Sequence, residues 1–245
     1  LGLLKMDFLG LKNLSMIETT LGILKRTNPG LKIDMNDLPM EDKKTYELLQ
    51  RGETTGVFQL ESAGMKRYLK ELKPTTFGDI IAMISLYRPG PMQFISQYIG
   101  GKHGTKKVTY IHDSLREVMS ETYGIAIYQE QILQIAQKFA GFSLGDADLL
   151  RRAIGKKIAK ELTAQREKFI EGAIAICNEK KLAEKIFDDV IEPFAGYGFN
   201  KSHAACYALI SFQTAYLKAH FPAEFMAALL TADADITDRV VVEIK

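Results

Sequence analysis

Lys5 and Asp7 lie two residues apart in Leu3 to Leu9, where apolar and other residues alternate. That alternation predicts a strand with Leu4, Met6 and Phe8 on one face and Lys5, Asp7 and Leu9 on the other. Same-face neighbours on a strand are about 6.6 Å apart. A carboxylate able to bind a divalent metal, beside an ammonium able to neutralise phosphate, is the pairing that phosphoryl transfer requires. The same spacing also describes an ordinary surface ion pair on an edge strand.

A second cluster, Arg151, Arg152, Lys156 and Lys157, falls at and just beyond the end of an expected helix. Leu150 and Ile154, four apart, form its buried stripe, and Arg152 and Lys156 share another. Cations at a helix C-terminus are favoured by the dipole, and Asp148 can pair with Arg152 one turn later. Yet four closely spaced cations repel one another unless an anion, such as a triphosphate or a nucleic-acid backbone, sits among them.

A third cluster is Asn200-Lys201-Ser202-His203, preceded by the turn Gly196-Tyr197-Gly198-Phe199. Ser202 reads as the N-cap of a long helix, with Lys201 adding charge and His203 a donor or proton source. The free N–H groups of a helix start suit phosphate, and the glycines let backbone approach a ligand closely. A simple capped helix with solvated flanks accounts for the same pattern. Gln59 and Arg67 around Val57 to Ser62, Arg88 in the rigid turn Arg88-Pro89-Gly90-Pro91, and the polar helix start Tyr128 to Gln131 are weaker candidates.

The elements that must position these residues are nearly all helical. Periodicity and breakers predict helices at 14–26, 41–51, 62–72, 76–87, 91–99, 113–122, 129–140, 144–154, 158–179, 182–194, 202–221 and 223–232. Thr76 with Asp79, and Ser143 with Asp146, read as capping pairs. Residues 100–109 read as a Gly- and Lys-rich loop, and 56–59, 107–110 and 125–128 as short extended pieces. The expected class is mainly α.

Of the 245 residues, 47% are hydrophobic and 25% charged, an ordinary globular balance. The net charge of +2 means that phosphate binding must come from local clusters. No apolar run of about 18 residues predicts a membrane span. Cys177 and Cys206 lie far apart without ligand spacing, which points to a reducing, cytoplasmic setting and away from zinc. No phosphate-binding loop of the Gly-x-x-x-x-Gly-Lys-Ser/Thr type occurs, and Gly196 and Gly198 do not extend into a dinucleotide fingerprint. His103, His112, His203 and His220 lack triad or metal spacing.

Taken together the segments are more specific than any one of them. Leu4 to Leu11 (LKMDFLGL) resembles the third catalytic-aspartate strand of bacterial C-family DNA polymerases, the family of the DNA polymerase III α subunit. Val57 to Met65 (VFQLESAGM), Tyr87 to Met92 (YRPGPM) and Tyr123 to Gln131 (YGIAIYQEQ) resemble its fingers motifs in the same order. Ala140 to Lys157 (AGFSLGDADLLRRAIGKK), Tyr197 to Tyr207 (YGFNKSHAACY) and Phe221 to Thr231 (FPAEFMAALLT) continue the match.

The resemblance implies a palm edge over residues 1–12 and a C-terminally truncated fingers domain over 13–245, a multi-helix fold with few short strands and one palm-derived edge strand. It implies that Asp7 is one of three palm carboxylates holding two Mg2+ ions, with Lys5 near the triphosphate or primer terminus. Arg151, Arg152, Lys156, Lys157, Lys201 and His203 would contact the incoming deoxynucleoside triphosphate, and Gln59, Arg67 and Arg88 would line its pocket. Primer-template DNA, a sliding clamp and other replisome subunits would be partners of the parent. The family's other two aspartates come as an Asp-x-Asp pair on an earlier strand. Here Asp146/Asp148 falls in a helix start, where residues two apart diverge by about 200°, and Asp233/Asp235 falls in a turn. The pair is therefore expected before Leu1, and the chain alone is expected not to polymerise DNA. The competing readings are a non-catalytic helical nucleic-acid-binding module and a helical protein scaffold.

Overall fold

The computed structural model describes residues 2–3, 10–156, 159–177, 179–194 and 196–244. The expected strand through Lys5 and Asp7 lies outside the described residues from Leu4 onward, as do Lys157 and the side chain of Lys156.

The helices are α1 (Lys12–Thr27), α2 (Lys43–Arg51), α3 (Ala63–Leu72), α4 (Phe77–Leu86), α5 (Ile95–Lys102), α6 (Arg116–Met119), α7 (Gln129–Ala140), α8 (Leu144–Lys156), α9 (Ala159–Cys177), α10 (Lys180–Ile186), α11 (Glu192–Phe194), α12 (Lys201–His220), α13 (Pro222–Ala232) and α14 (Thr237–Ile244). Two compact units result, one from residues 1–77 and 207–245, the other from 78–206.

In the first unit α1 packs on α13 around Met16, Ile17, Leu24, Leu217, Phe225 and Leu229. The α2–α3 pair has explicit stops. Asp42 caps α2 by accepting the Thr45 N–H at 2.8 Å, Gly52 ends it with φ +65°, and Ser62 caps α3 through the Met65 N–H at 3.2 Å. Residues 56–59, expected to be extended, form turns instead. Gly56 and Gln59 both have left-handed φ, 76° and 61°, which a strand does not allow.

In the second unit α7, α8, α9 and α10 enclose a core of Phe139, Leu150, Phe169, Ile186 and Phe187. At Gly172, α9 runs so close to the end of α7 that a Cβ would stand 2.1 Å from the Ala140 carbonyl oxygen. Ser143 and Asp146 do cap α8, the hydroxyl accepting the Asp146 N–H at 3.1 Å and donating to its carboxylate at 2.7 Å.

Three boundaries differ from expectation. The 100–109 loop begins later, because α5 runs to Lys102, whose ammonium reaches the buried Asp79 carboxylate at 2.6 Å. The helix expected over 113–122 is broken into α6 between two 3-10 turns, Asp113–Leu115 and Ser120–Thr122, and ends at Tyr123 with φ +53°. The helix expected over 182–194 is interrupted by a π-helical turn, Phe187–Ile191. Pro193 has no N–H for the Asp189 carbonyl and its ring crowds that oxygen, so the helix widens there. Helix α14 was not expected at all. Of the extended pieces, residues 125–128 contribute one isolated parallel bridge, Tyr128 to Phe199.

Candidate functional site

The second unit gathers its cationic candidates around the turn 196–203. The turn is tight because the Tyr197 and Gly198 N–H groups both bond back to the Phe194 carbonyl, at 3.1 and 2.9 Å. Only glycine fits at 198, since a Cβ would lie 2.0 Å from the Phe194 ring. The Phe199 N–H donates to Ile127 at 3.2 Å and the Gln129 N–H to Phe199 at 2.8 Å, which fixes the turn to the start of α7. That start is itself rigid. The buried Gln131 amide accepts the Ile127 and Tyr128 N–H groups and donates to Val118 and Thr122, satisfying its hydrogen-bonding groups.

Arg88 lies across this turn. Its guanidinium stacks over the Phe199 ring at 4.2 Å, donates to the Tyr197 carbonyl at 2.7 Å and donates to Ser85 at 3.0 Å. Among the described residues no carboxylate pairs with it, and burial alone lowers its pKa. A guanidinium has five N–H donors, so those not used here remain for an anion. Tyr197 beneath it is packed between Phe94 and Phe194, with ring centroids 5.1 and 5.4 Å away, and burial pushes its hydroxyl up to about 12.

The start of α12 is occupied differently from expectation. The N-cap is Asn200, not Ser202, because the Asn200 side-chain oxygen accepts the His203 N–H at 2.7 Å. Ser202 lies inside the first turn and is exposed. The free amide expected to face phosphate is taken by a carboxylate of the chain. Both Glu130 oxygens accept the Lys201 N–H, at 3.1 and 2.9 Å, and one also accepts from Asn200 at 3.0 Å. The Lys201 ammonium meets both Glu121 oxygens at 2.8 Å and lies 5.2 Å above the Tyr128 ring. His203 is exposed, its ring 5.6 Å from Phe199.

Arg151 borders the same turn through a small cavity of about 40 Å³ that it shares with Gln129 and Gly198. Arg151 and Arg152 both reach Asp148, at 2.7 and 2.8 Å, and the hydrogen bond from Arg151 is the leading cause of that carboxyl's lowered pKa. The pairing expected for Arg152 alone thus holds both arginines. Arg88, Arg151, Lys201 and His203 are therefore brought around one turn, with Arg152 beside Arg151. Gln59 and Arg67 belong to the first unit, where Gln59 is exposed in a turn and Arg67 faces Glu71 at 3.8 Å and the Tyr68 ring at 4.8 Å. Of the two carboxylates that hold Lys201, Glu130 lies in the polar helix start Tyr128 to Gln131, already a weaker candidate, while Glu121 was not singled out from sequence and had no signal beyond its place in the preceding 3-10 turn.

Among the described residues no group of three or more His, Cys, Asp or Glu side chains could hold a metal ion, and no helix is long and apolar enough to cross a membrane.

A family model for the bacterial DNA polymerase III alpha subunit finger domain matches residues 13–177. Three curated relatives each share more than half of the aligned residues. The chain is 55% identical over 228 residues to the DNA polymerase III subunit alpha of Halalkalibacterium halodurans, covering 93% of this chain and 20% of that protein. To the Thermus aquaticus protein of the same name it is 53% identical over 245 residues, covering 98% of the chain and 20% of the relative. To that of Escherichia coli it is 51% identical over 250 residues, covering 98% and 22%. The chain thus spans about a fifth of the length of the relatives it matches. With a family model covering more than half of it and these identities over nearly all of it, the chain belongs to the bacterial DNA polymerase III alpha subunit family.

Proposed function

We propose that the chain is the nucleotide-holding part of a replicative, DNA-directed DNA polymerase of the bacterial cytoplasm, and that the 196–203 turn with its cations receives the phosphates of an incoming deoxynucleoside triphosphate. The observation that carries this reading is Arg88, a partly buried guanidinium oriented by two carbonyls and an aromatic face and lacking a carboxylate among the described residues. Such a cation is poised for charge-assisted, two-pronged bonding to phosphate. Lys201, His203, Arg151 and Arg152 add charge and donors beside it, with Lys156 and Lys157 as a supporting flank. Gln59 and Arg67 are kept as pocket residues by the family resemblance.

In the longer protein the 3′-hydroxyl of a primer would attack the α-phosphorus, releasing pyrophosphate. The role of these residues is to hold the β and γ phosphates and offset charge that builds on the leaving group. Asp7, with Lys5 beside it, is proposed as one of three carboxylates for two Mg2+ ions. The described residues do not complete such a site, so no step through the metal is assigned to them. A single aspartate supplies too few ligands to hold two ions in place, and the chain alone is proposed to lack polymerase activity. Primer-template DNA, a sliding clamp and other replisome subunits are the proposed partners of the longer protein.

The test is calorimetric titration of deoxynucleoside triphosphate into the protein and into Arg88→Met. Loss of charged hydrogen bonds worth about 1.5–3 kcal/mol predicts binding weakened roughly tenfold or more, with Arg88→Lys in between. Equal binding by the protein and Arg88→Met, both with unchanged thermal midpoints, would refute the assignment. Binding of DNA with no binding of triphosphate would favour the nucleic-acid module instead.

A further inference from the structure

Two lysines of the first unit converge on a single threonine. Lys66 of α3 donates to the Thr55 hydroxyl at 2.7 Å, and Lys218 of α12 donates to the Thr55 carbonyl, also at 2.7 Å. Neither ammonium has a carboxylate within ion-pair reach among the described residues. The two acids nearest in the field are already engaged. Glu53 is held by Arg51 at 3.0 Å, and Glu61 by Arg239 at 3.2 Å and by the Gly56 N–H at 3.2 Å.

From this we infer that Lys66 and Lys218 form a second anion site, one that takes a phosphate group. Two ammonium groups provide six donors, and the bonds to Thr55 use two of them. A tetrahedral phosphate can bridge two such cations because it offers several oxygens and up to two negative charges, whereas a single carboxylate offers one charge. The choice of phosphate over other polyanions rests on the polymerase reading above. A cavity of about 260 Å³ is lined by Thr55 and Lys66, which places the Lys66 half of the pair on its wall, while Lys218 is not part of that lining. Glu61 and Glu243, also on its wall, both face Arg239, the latter at 3.6 Å, and Asp238 completes its acidic side.

The energetics agree with the geometry. Lys218 is pushed down to about 8, first by burial and then by Lys66, against the opposing pull of Glu53 and Glu61. A bound anion would restore its proton, so binding takes up protons and weakens as pH rises above about 8.

The experiment is a phosphate titration of the protein carrying isotope-labelled lysine side chains, followed by NMR, with the two signals assigned through Lys66→Arg and Lys218→Arg. Both signals should move together with one dissociation constant at pH 7. Lys66→Met, with its folded spectrum intact, should weaken the Lys218 response at least tenfold. A tighter response to pyrophosphate than to a short oligodeoxythymidylate identifies a nucleotide tail as the source, and the reverse order a nucleic-acid backbone. Immobile signals, an equal response to acetate at matched ionic strength, or a Lys218 response untouched by Lys66→Met would each overturn the inference. The Lys218 signal reports this pair alone, so the outcome is independent of the Arg88 titration.

Discussion

The carboxylate of Glu130 and the backbone amide of Lys201 are joined by two hydrogen bonds, 3.1 and 2.9 Å long, so the first turn of α12 is capped from another helix. A negative group at a helix start satisfies an orphan donor and complements the dipole. Glu130→Ala should lower stability by about 1–2 kcal/mol, as loss of a cap does. Glu130→Gln keeps an acceptor and should cost less than half as much. Denaturant titrations of the two variants compare these costs directly. Equal loss in both would mean that the charge, and not the acceptor, holds the turn.

Asp148 restrains two candidate phosphate ligands at once, Arg151 and Arg152. A triphosphate that binds these arginines must compete with it. Asp148→Asn should therefore tighten triphosphate binding severalfold and steepen its salt dependence, while Arg151→Ala/Arg152→Ala should weaken it by about 1.5–3 kcal/mol. Affinity measured at two salt concentrations for all three proteins checks both parts. Weaker binding by Asp148→Asn would show that the carboxylate orients the arginines and does not compete for them.

Asp79 and Lys102 are a buried ion pair, 2% and 10% exposed at the side chain and 2.6 Å apart, with the Tyr98 hydroxyl 3.4 Å from the same carboxylate. Removing one charge strands the other. Lys102→Met should cost about 3–5 kcal/mol, and the double change Asp79→Leu/Lys102→Met should recover much of that. Urea denaturation of the single and double variants decides it. A double variant no better than the single would assign the loss to packing.

The depressed pKa of Lys218 makes stability depend on pH in a stated direction. In the unfolded chain the amine holds its proton up to its ordinary value of 10.5, and in the folded chain only to about 8. Between these limits the unfolded state binds more protons, so stability rises with pH across that window. The rise should be present in the protein at low phosphate and missing from Lys218→Met. Denaturation at pH 7.5, about 9 and about 10 would show it, and parallel profiles would contradict the buried-amine account.

Much of the fold was legible because helix signals are local. Gln129–Ala140 has both expected ends, and Ser143 with Asp146 caps α8. What failed was decided elsewhere in the chain. Nothing near Lys102 announces that Asp79 will meet it. At the start of α12 Asn200 is as good a capping residue as Ser202, and the carboxylate that braces it, Glu130, comes from another helix. The candidate cations were legible by type and spacing. Of their counter-ions, Asp148 was legible one turn before Arg152, but Glu121 was not, being 80 residues from Lys201 with no motif of its own. The pairing of Lys66 with Lys218 was invisible for the same reason, since Thr55 joins them from 11 and 163 residues away.

The 196–203 turn depends on distant partners to an unusual degree. Glu130 reaches Lys201 across 71 residues, Glu121 reaches it across 80, and Arg88 reaches Tyr197 across 109. A segment held this way cannot keep its shape once α7 and its surroundings loosen. Its amide protons should therefore exchange with solvent at the rate set by opening of the whole second unit, not by fraying of a loop. Loss of the nucleotide-facing geometry and cooperative unfolding of that unit then become one event, and any substitution that destabilises its core lowers the fraction of molecules competent to bind.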